Sequence, residues 1–237
     1  MVKKPAELPK FSHPESVELR STPPSEHRPA VLDERRRAVR EMSKMAIEFK
    51  KLHEKAYTDD LTGLGNRRSF YERFPQLFKY AQTHNVPIAL VFADVRGLKR
   101  TNDAKNGGHG KGDELLKAAA TAFKDLVRED DIVARLGGDE FGAVLLGYTP
   151  AEGETQESLD KQTVERLSGS FESQAHEKGI PDELHVGLDV AIVTMHGHNT
   201  HLGMLHQADE AMHALKDQRY ADLAAQGVVF ADSRLQT

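Results

Sequence analysis

Arg135-Leu136-Gly137-Gly138-Asp139-Glu140-Phe141-Gly142 lies between two apolar stretches, Asp131-Ile132-Val133-Ala134 before it and Ala143-Val144-Leu145-Leu146 after it. Two short apolar runs around a Gly-Gly pair predict a β-hairpin. The glycines are expected to supply positive φ at the turn. The turn then presents two acids, Asp139 and Glu140, at its tip. Paired carboxylates there suit a divalent cation, and an all-oxygen donor set selects Mg²⁺ (or Mn²⁺). A plain solvated turn uses the same residue types, so the rest of the chain has to decide.

Upstream, Ile88-Ala89-Leu90-Val91-Phe92-Ala93-Asp94-Val95 is nearly all apolar and reads as a buried strand. Asp94 stands at its carboxyl end, where open sheets place ligands. If this strand neighbours the hairpin, Asp94, Asp139 and Glu140 converge at one sheet edge. Two Mg²⁺ ions held there would clamp a phosphoryl centre, activating an attacking hydroxyl and stabilising the leaving group. That points to nucleotidyl transfer or cyclisation on a triphosphate.

Further out, helices are expected over about 66–83, 113–128, 155–178 and 201–218, with strands around 184–194 and 228–230. Residues 59–66 read as a turn-rich link, and a Gly-rich loop runs from Asn106 to Gly112. The element order implies an α/β (α+β) fold on a mixed central sheet. Residues 1–30 hold six of the ten prolines and read as a flexible tail. Over 31–56, Leu32, Val39, Met42, Ala46, Phe49 and Ala56 fall on alternating three- and four-residue steps. That is a helix with an apolar seam, interrupted at Arg35 and His53, suited to pairing or to packing on its own domain.

The formal net charge of −5 gives no basic field for nucleic acid. The absence of cysteine excludes disulfides, thiolate metal sites and thiol catalysis. No run is apolar enough to span a membrane and no signal peptide is evident, so a cytoplasmic location is expected. Gly110-Lys111-Gly112-Asp113 lacks the Ser/Thr and earlier glycine of a phosphate loop. His196, His198, His201 and His206 cluster without an acid or thiol to complete a zinc site, and read as a polar loop and helix start.

Five motifs, in order, resemble the GGDEF family of diguanylate cyclases over roughly residues 57–230. They are Asp59-x-Leu61-Thr62-Gly63-Leu64-x-Asn66-Arg67-Arg68; Asp94-x-x-x-Leu98-Lys99-x-x-Asn102-Asp103; His109-x-x-Gly112-Asp113; Arg135-x-Gly137-Gly138-Asp139-Glu140-Phe141; and Ala208-Asp209-x-Ala211-Met212-x-x-x-Lys216. The resemblance implies a five-stranded sheet flanked by helices, similar to nucleotidyl cyclases, as a catalytic domain over 57–237. It implies a homodimer in which two GTP molecules condense to cyclic di-GMP and two pyrophosphates, with two metal ions per half-site.

Carried onto this chain, Asp94, Asp139, Glu140 and the Val95 backbone would hold metal, and Asp139 and Glu140 would be catalytic. Gly97 and Leu98 would wrap the phosphates, and Lys216 and Arg219 would grip them. Asn102 and Asp113 would read guanine, with His109, Leu116, Gly137 and Gly138 lining the nucleotide site. A carboxylate at Asp113 accepts from guanine N1–H and the exocyclic amine, whereas adenine has no N1–H. Arg128-x-x-Asp131 matches the family's product-inhibition site for cyclic di-GMP. Some features depart from the family pattern: Arg96 stands where a third acid is often found, two residues after Asp94, the 104–108 loop is two residues longer, Gly187-Leu188-Asp189 replaces Ser-Ile-Gly, and Arg219 falls one position early with no Gly before it. A non-catalytic GGDEF domain that binds cyclic di-GMP through Arg128 and Asp131 is the alternative.

Overall fold

The structure is a computed structural model and describes residues 28–103, 105, 108–195 and 200–225. Residues 1–27 of the tail expected over 1–30, most of the 104–108 loop, His196, His198 and the expected strand at 228–230 lie outside the described residues, and helix begins at Arg28, inside the expected tail. The chain divides after Phe49 into two units. In the first, the described part belongs to helix α1, which runs Arg28–Tyr57 and continues into the second unit. Its seam residues Leu32, Val39, Met42 and Phe49 are 53–73% exposed. No helix among the described residues is long and apolar enough to cross a membrane.

The second unit is built on a five-stranded sheet of order β1-β3-β4-β2-β5. Its strands are β1 (Gly65–Asn66), β2 (Ile88–Arg96), β3 (Ile132–Arg135), β4 (Glu140–Leu146) and β5 (Gly187–Thr194). β3 and β4 form the expected antiparallel hairpin, β2 pairs antiparallel with β4 and with β5, and β1 pairs parallel with β3. β2 is an interior strand, paired on both sides and buried on both faces, which is why it reads as an unbroken apolar run. Its even-numbered residues meet α2 (Arg67–His84) and α6 (His201–Ala225), in a core that includes Phe70, Phe74, Phe78, Leu90, Met204 and Met212. Its odd-numbered residues meet α4 (His109–Leu126) and α5 (Gln156–Glu177), in a core that includes Phe123, Phe141 and Phe171. Phe123 and Phe141 stack at 5.6 Å.

Five sequence expectations change. β1, two residues long, lies in a segment read as a link; it is too short to show periodicity. α4 starts at His109, inside the expected loop, and α6 continues past 218 to Ala225. The strand expected from about 184 begins only at Gly187, because a 3₁₀ turn at Asp182–Leu184 takes its first position. Gly137 and Gly138 do not have positive φ. The register pairs Arg135 with Phe141, which leaves a loop long enough to close without left-handed residues.

Candidate active site

The antiparallel order β4-β2-β5 brings the carboxyl end of β2 beside the amino ends of both neighbours. Asp94 stands opposite Glu140 on one side and Asp189 on the other. Directly opposed residues in a ladder project to the same face, so three acids form a row across three strands. The Val95 N–H donates to the Asp139 carbonyl at 2.9 Å, continuing the ladder into the turn. Asp94 is 9% exposed, whereas Glu140 is exposed at the hairpin tip.

Cations arrive from α6. Met204, Ala208 and Met212 pack on the sheet in one stripe, and the same three- and four-residue spacing continues to Lys216 and Arg219. Lys216 Nζ lies 2.7 Å from Asp94 Oδ2, and Arg219 Nη1 lies 2.5 Å from Asp189 Oδ2. Arg96 Nε approaches Asp189 Oδ1 at 3.4 Å. Burial pushes the Asp189 carboxyl above its ordinary range and Asp94 adds to this, against the pull of the two guanidiniums.

Among the described residues, no three His, Asp or Glu side chains gather closely enough to hold a metal ion. The expected convergence is therefore incomplete: Asp94 and Glu140 are register partners, Asp139 lies one residue earlier in the turn, and the Asp94 carboxylate is drawn to Lys216. Clustered acids repel unless a cation sits among them. The donors still suit Mg²⁺, which is commonly held by one or two carboxylates while substrate phosphates complete its shell.

The hairpin tip is held from behind. Arg135 Nη2 and Nε donate to the Gly138 carbonyl at 2.7 and 3.2 Å, and Arg135 Nη1 pairs with Asp59 at 3.3 Å. The Thr62 amide and hydroxyl both donate to Asp59 Oδ1. Burial would raise the Asp59 carboxyl, but the Thr62 donors and Arg135 outweigh it and hold the group below its ordinary value. The first and fourth motifs thus brace one another. Asn66 caps α2 through Ser69 N–H, while its Nδ2 donates to the Ala56 and Thr58 carbonyls.

On the opposite face, Gly97 adopts φ +86 and turns the chain into α3 (Leu98–Thr101). A Cβ there would also press on Val186. Asn102 follows α3 and lies against Gly112 in α4, where a Cβ would collide with its amide. Asp113, one residue on, is exposed, as is His109, and Leu116 is buried. Asn102 and Asp113 are therefore brought to neighbouring positions.

The two members of the Arg128-x-x-Asp131 motif have different environments. Asp131 is 8% exposed, and its carboxylate accepts from the backbone N–H of Arg128 at 2.7 Å and of Leu146 at 2.8 Å. Arg128 is exposed. Of the described histidines in the late cluster, His201 lies against Phe74 and Phe78, and His206 pairs with Glu210. Asp189 and the structural use of Arg96 escape sequence reasoning, because strand register is needed to see them opposite Asp94.

The family model for the diguanylate cyclase GGDEF domain matches residues 56–221. The chain is 34% identical over 174 residues to the bifunctional diguanylate cyclase/cyclic di-GMP phosphodiesterase MucR of Pseudomonas aeruginosa, covering 73% of this chain and 24% of that protein. It is 32% identical over 158 residues to the diguanylate cyclase DosC of Escherichia coli, covering 67% of this chain and 32% of that one. The chain thus spans about a quarter to a third of the length of these relatives. The coiled coil and GGDEF domain of DgcB from Caulobacter crescentus, solved in complex with c-di-GMP, matches with TM-score 0.64 at 19% identity, covering 81% of this chain and 96% of that one. A structure comprising only the GGDEF domain of TpbB (YfiN) from Pseudomonas aeruginosa matches with TM-score 0.53 at 29% identity, covering 68% and 90%.

Proposed function

The chain belongs to the GGDEF-domain family, and from that membership we propose that it is a diguanylate cyclase, condensing two GTP into cyclic di-GMP and two pyrophosphates as a homodimer. The single observation that carries the reading is the register of Asp94 opposite Glu140, with Lys216 above them. It sets hard anionic oxygens beside a cation at one sheet edge, the groups that triphosphate chemistry uses.

Asp94, Asp139, Glu140 and the Val95 carbonyl would hold Mg²⁺ (or Mn²⁺). A bound divalent ion supplies neutralisation of the triphosphate and acidifies the 3′-hydroxyl. Glu140, exposed at the tip, takes the proton as the 3′-oxygen of one nucleotide bonds to the α-phosphorus of the other. The bond from that phosphorus to the bridging oxygen breaks, and pyrophosphate leaves. Lys216 exchanges Asp94 for phosphate oxygens as the nucleotide enters. Asp113 and Asn102 accept from and donate to the guanine edge, and Gly97 and Leu98 bend the backbone around the phosphates.

Each domain contributes one nucleotide, so the reaction needs two copies. The exposed seam of α1 is the element for pairing them, since its large apolar side chains are open to solvent in the single chain and a second copy of the helix would bury them. Arg128 contacts cyclic di-GMP and slows the enzyme as product accumulates.

The test is incubation of purified protein with GTP and Mg²⁺, with mass identification of the product, beside Asp139→Ala. Wild type makes cyclic di-GMP, and the variant folds normally but loses at least a hundredfold in rate, the order expected for removing a group that stabilises the transition state. Tight binding of cyclic di-GMP without GTP turnover would instead support a receptor.

A further inference from the structure

The acid row across the sheet edge has a member with no part in the chemistry above. Asp189 faces Asp94 from β5, and its side chain is 10% exposed. A buried carboxylate next to another is unfavourable unless cations hold it. Two do: Arg96, two residues beyond Asp94 on β2, and Arg219 from α6. β5 also makes room for one of them. Gly187 is the register partner of Arg96, and a Cβ at Gly187 would land on the Arg96 guanidinium. The strand therefore carries the space for this guanidinium and, two residues on, the anion that holds it.

The cluster is not saturated. Two guanidiniums share one carboxylate, leaving a surplus positive charge, while Lys216 and Asp94 balance each other. As hydrogen bonds the pairs are loose: Arg96 Nε, which faces Asp189 Oδ1 at 3.4 Å, Arg219 Nε and Asp189 Oδ2 are all buried without a hydrogen-bond partner. Each guanidinium carries five N–H donors in a planar fork, more than one carboxylate accepts. The Nη donors that one carboxylate leaves over and the net positive charge fit a polyanion with several oxygens.

We propose that Asp189 is a positioning residue that holds Arg96 and Arg219 as a paired clamp on the terminal phosphates of the nucleotide. The inference rests on the GTP reading above. Asp189 orients the two forks and touches no substrate itself. Arg96 thereby serves the triphosphate from the position where an acid is common in the family.

The test uses the full chain and 3′-deoxyguanosine mono-, di- and triphosphate with Mg²⁺, which bind but lack the attacking hydroxyl. Calorimetric affinities are compared for wild type, Arg96→Ala, Gly187→Ala and Asp189→Asn. Gly187→Ala alters no charge and pushes the Arg96 guanidinium aside. All three variants are expected to weaken triphosphate binding about tenfold, the loss of about one charge-assisted bond, and to leave monophosphate binding unchanged. Equal loss across the phosphate series, or unchanged triphosphate affinity in variants that melt like wild type, overturns the clamp and leaves the cyclase reading standing. If Asp189→Asn does not fold, Arg96→Ala and Gly187→Ala decide alone, because both keep the carboxylate. If wild type binds none of the nucleotides, the cyclase reading and the clamp both fall.

Discussion

Lys216 Nζ stands 2.7 Å from Asp94 Oδ2 across a sequence separation of 122 residues. The ammonium thereby occupies the carboxylate on which the proposed metal binding depends. Lys216→Ala should strengthen Mn²⁺ binding in the absence of nucleotide by about tenfold, while raising KM for GTP. Calorimetry with Mn²⁺ alone separates the two effects. Unchanged Mn²⁺ affinity would remove Asp94 from the metal-binding role.

Asp113→Ser should let ATP compete. A hydroxyl both donates and accepts, so it no longer demands a donor at N1. In an equimolar GTP and ATP mixture, the variant should yield adenine-containing product that wild type does not form. Strict GTP use by the variant would shift base selection to Asn102 or the 104–108 loop.

Asp131 and Arg128 should separate by experiment. Asp131→Ala strips two backbone N–H groups of a charged acceptor and should cost about 3 kcal/mol of stability. Arg128→Ala alters an exposed side chain and should stay within about 0.5 kcal/mol. Only the Arg128 variant should retain wild-type melting while binding cyclic di-GMP about tenfold more weakly. Equal product affinity would make this motif a hairpin brace and nothing more.

Asp59 sets an acid limit on the fold. Its carboxyl is held below the ordinary value in the native state. The resulting stabilisation is complete above the unfolded-state pKa of 3.8 and disappears as pH falls through the lower native value. Asp59→Asn should cost about 2 kcal/mol at neutral pH and flatten the stability profile below pH ~4. Urea melts at pH 7 and pH 3 would show it; a deficit of the same size at both would contradict the assignment.

The hairpin, the buried β2 and Asp94 at its end were legible because each rests on local residue chemistry. A run apolar at every position has to be central, and Gly-Gly flanked by apolar runs has to turn. What escaped depends on register. Nothing local to Asp189 places it opposite Asp94, and Arg96 reads as an intruding cation until its partner on β5 is seen. Asp131 reads as a ligand group until the Leu146 N–H, fifteen residues on, is found at its carboxylate. The glycines of the turn were assigned handedness they do not use, since loop length, known only from pairing, sets that need. β1 fell below the length at which periodicity exists.

Asn66 has a mechanical consequence. Its side chain bonds the last turn of α1 and the first turn of α2, and its backbone is a rung of the sheet beside Arg135. Arg135 in turn grips the Gly138 carbonyl. The connection from helix to sheet is thus a clamped joint with little slack. The end of α1 is therefore tied through one side chain to β3, the strand next to the one that carries Glu140.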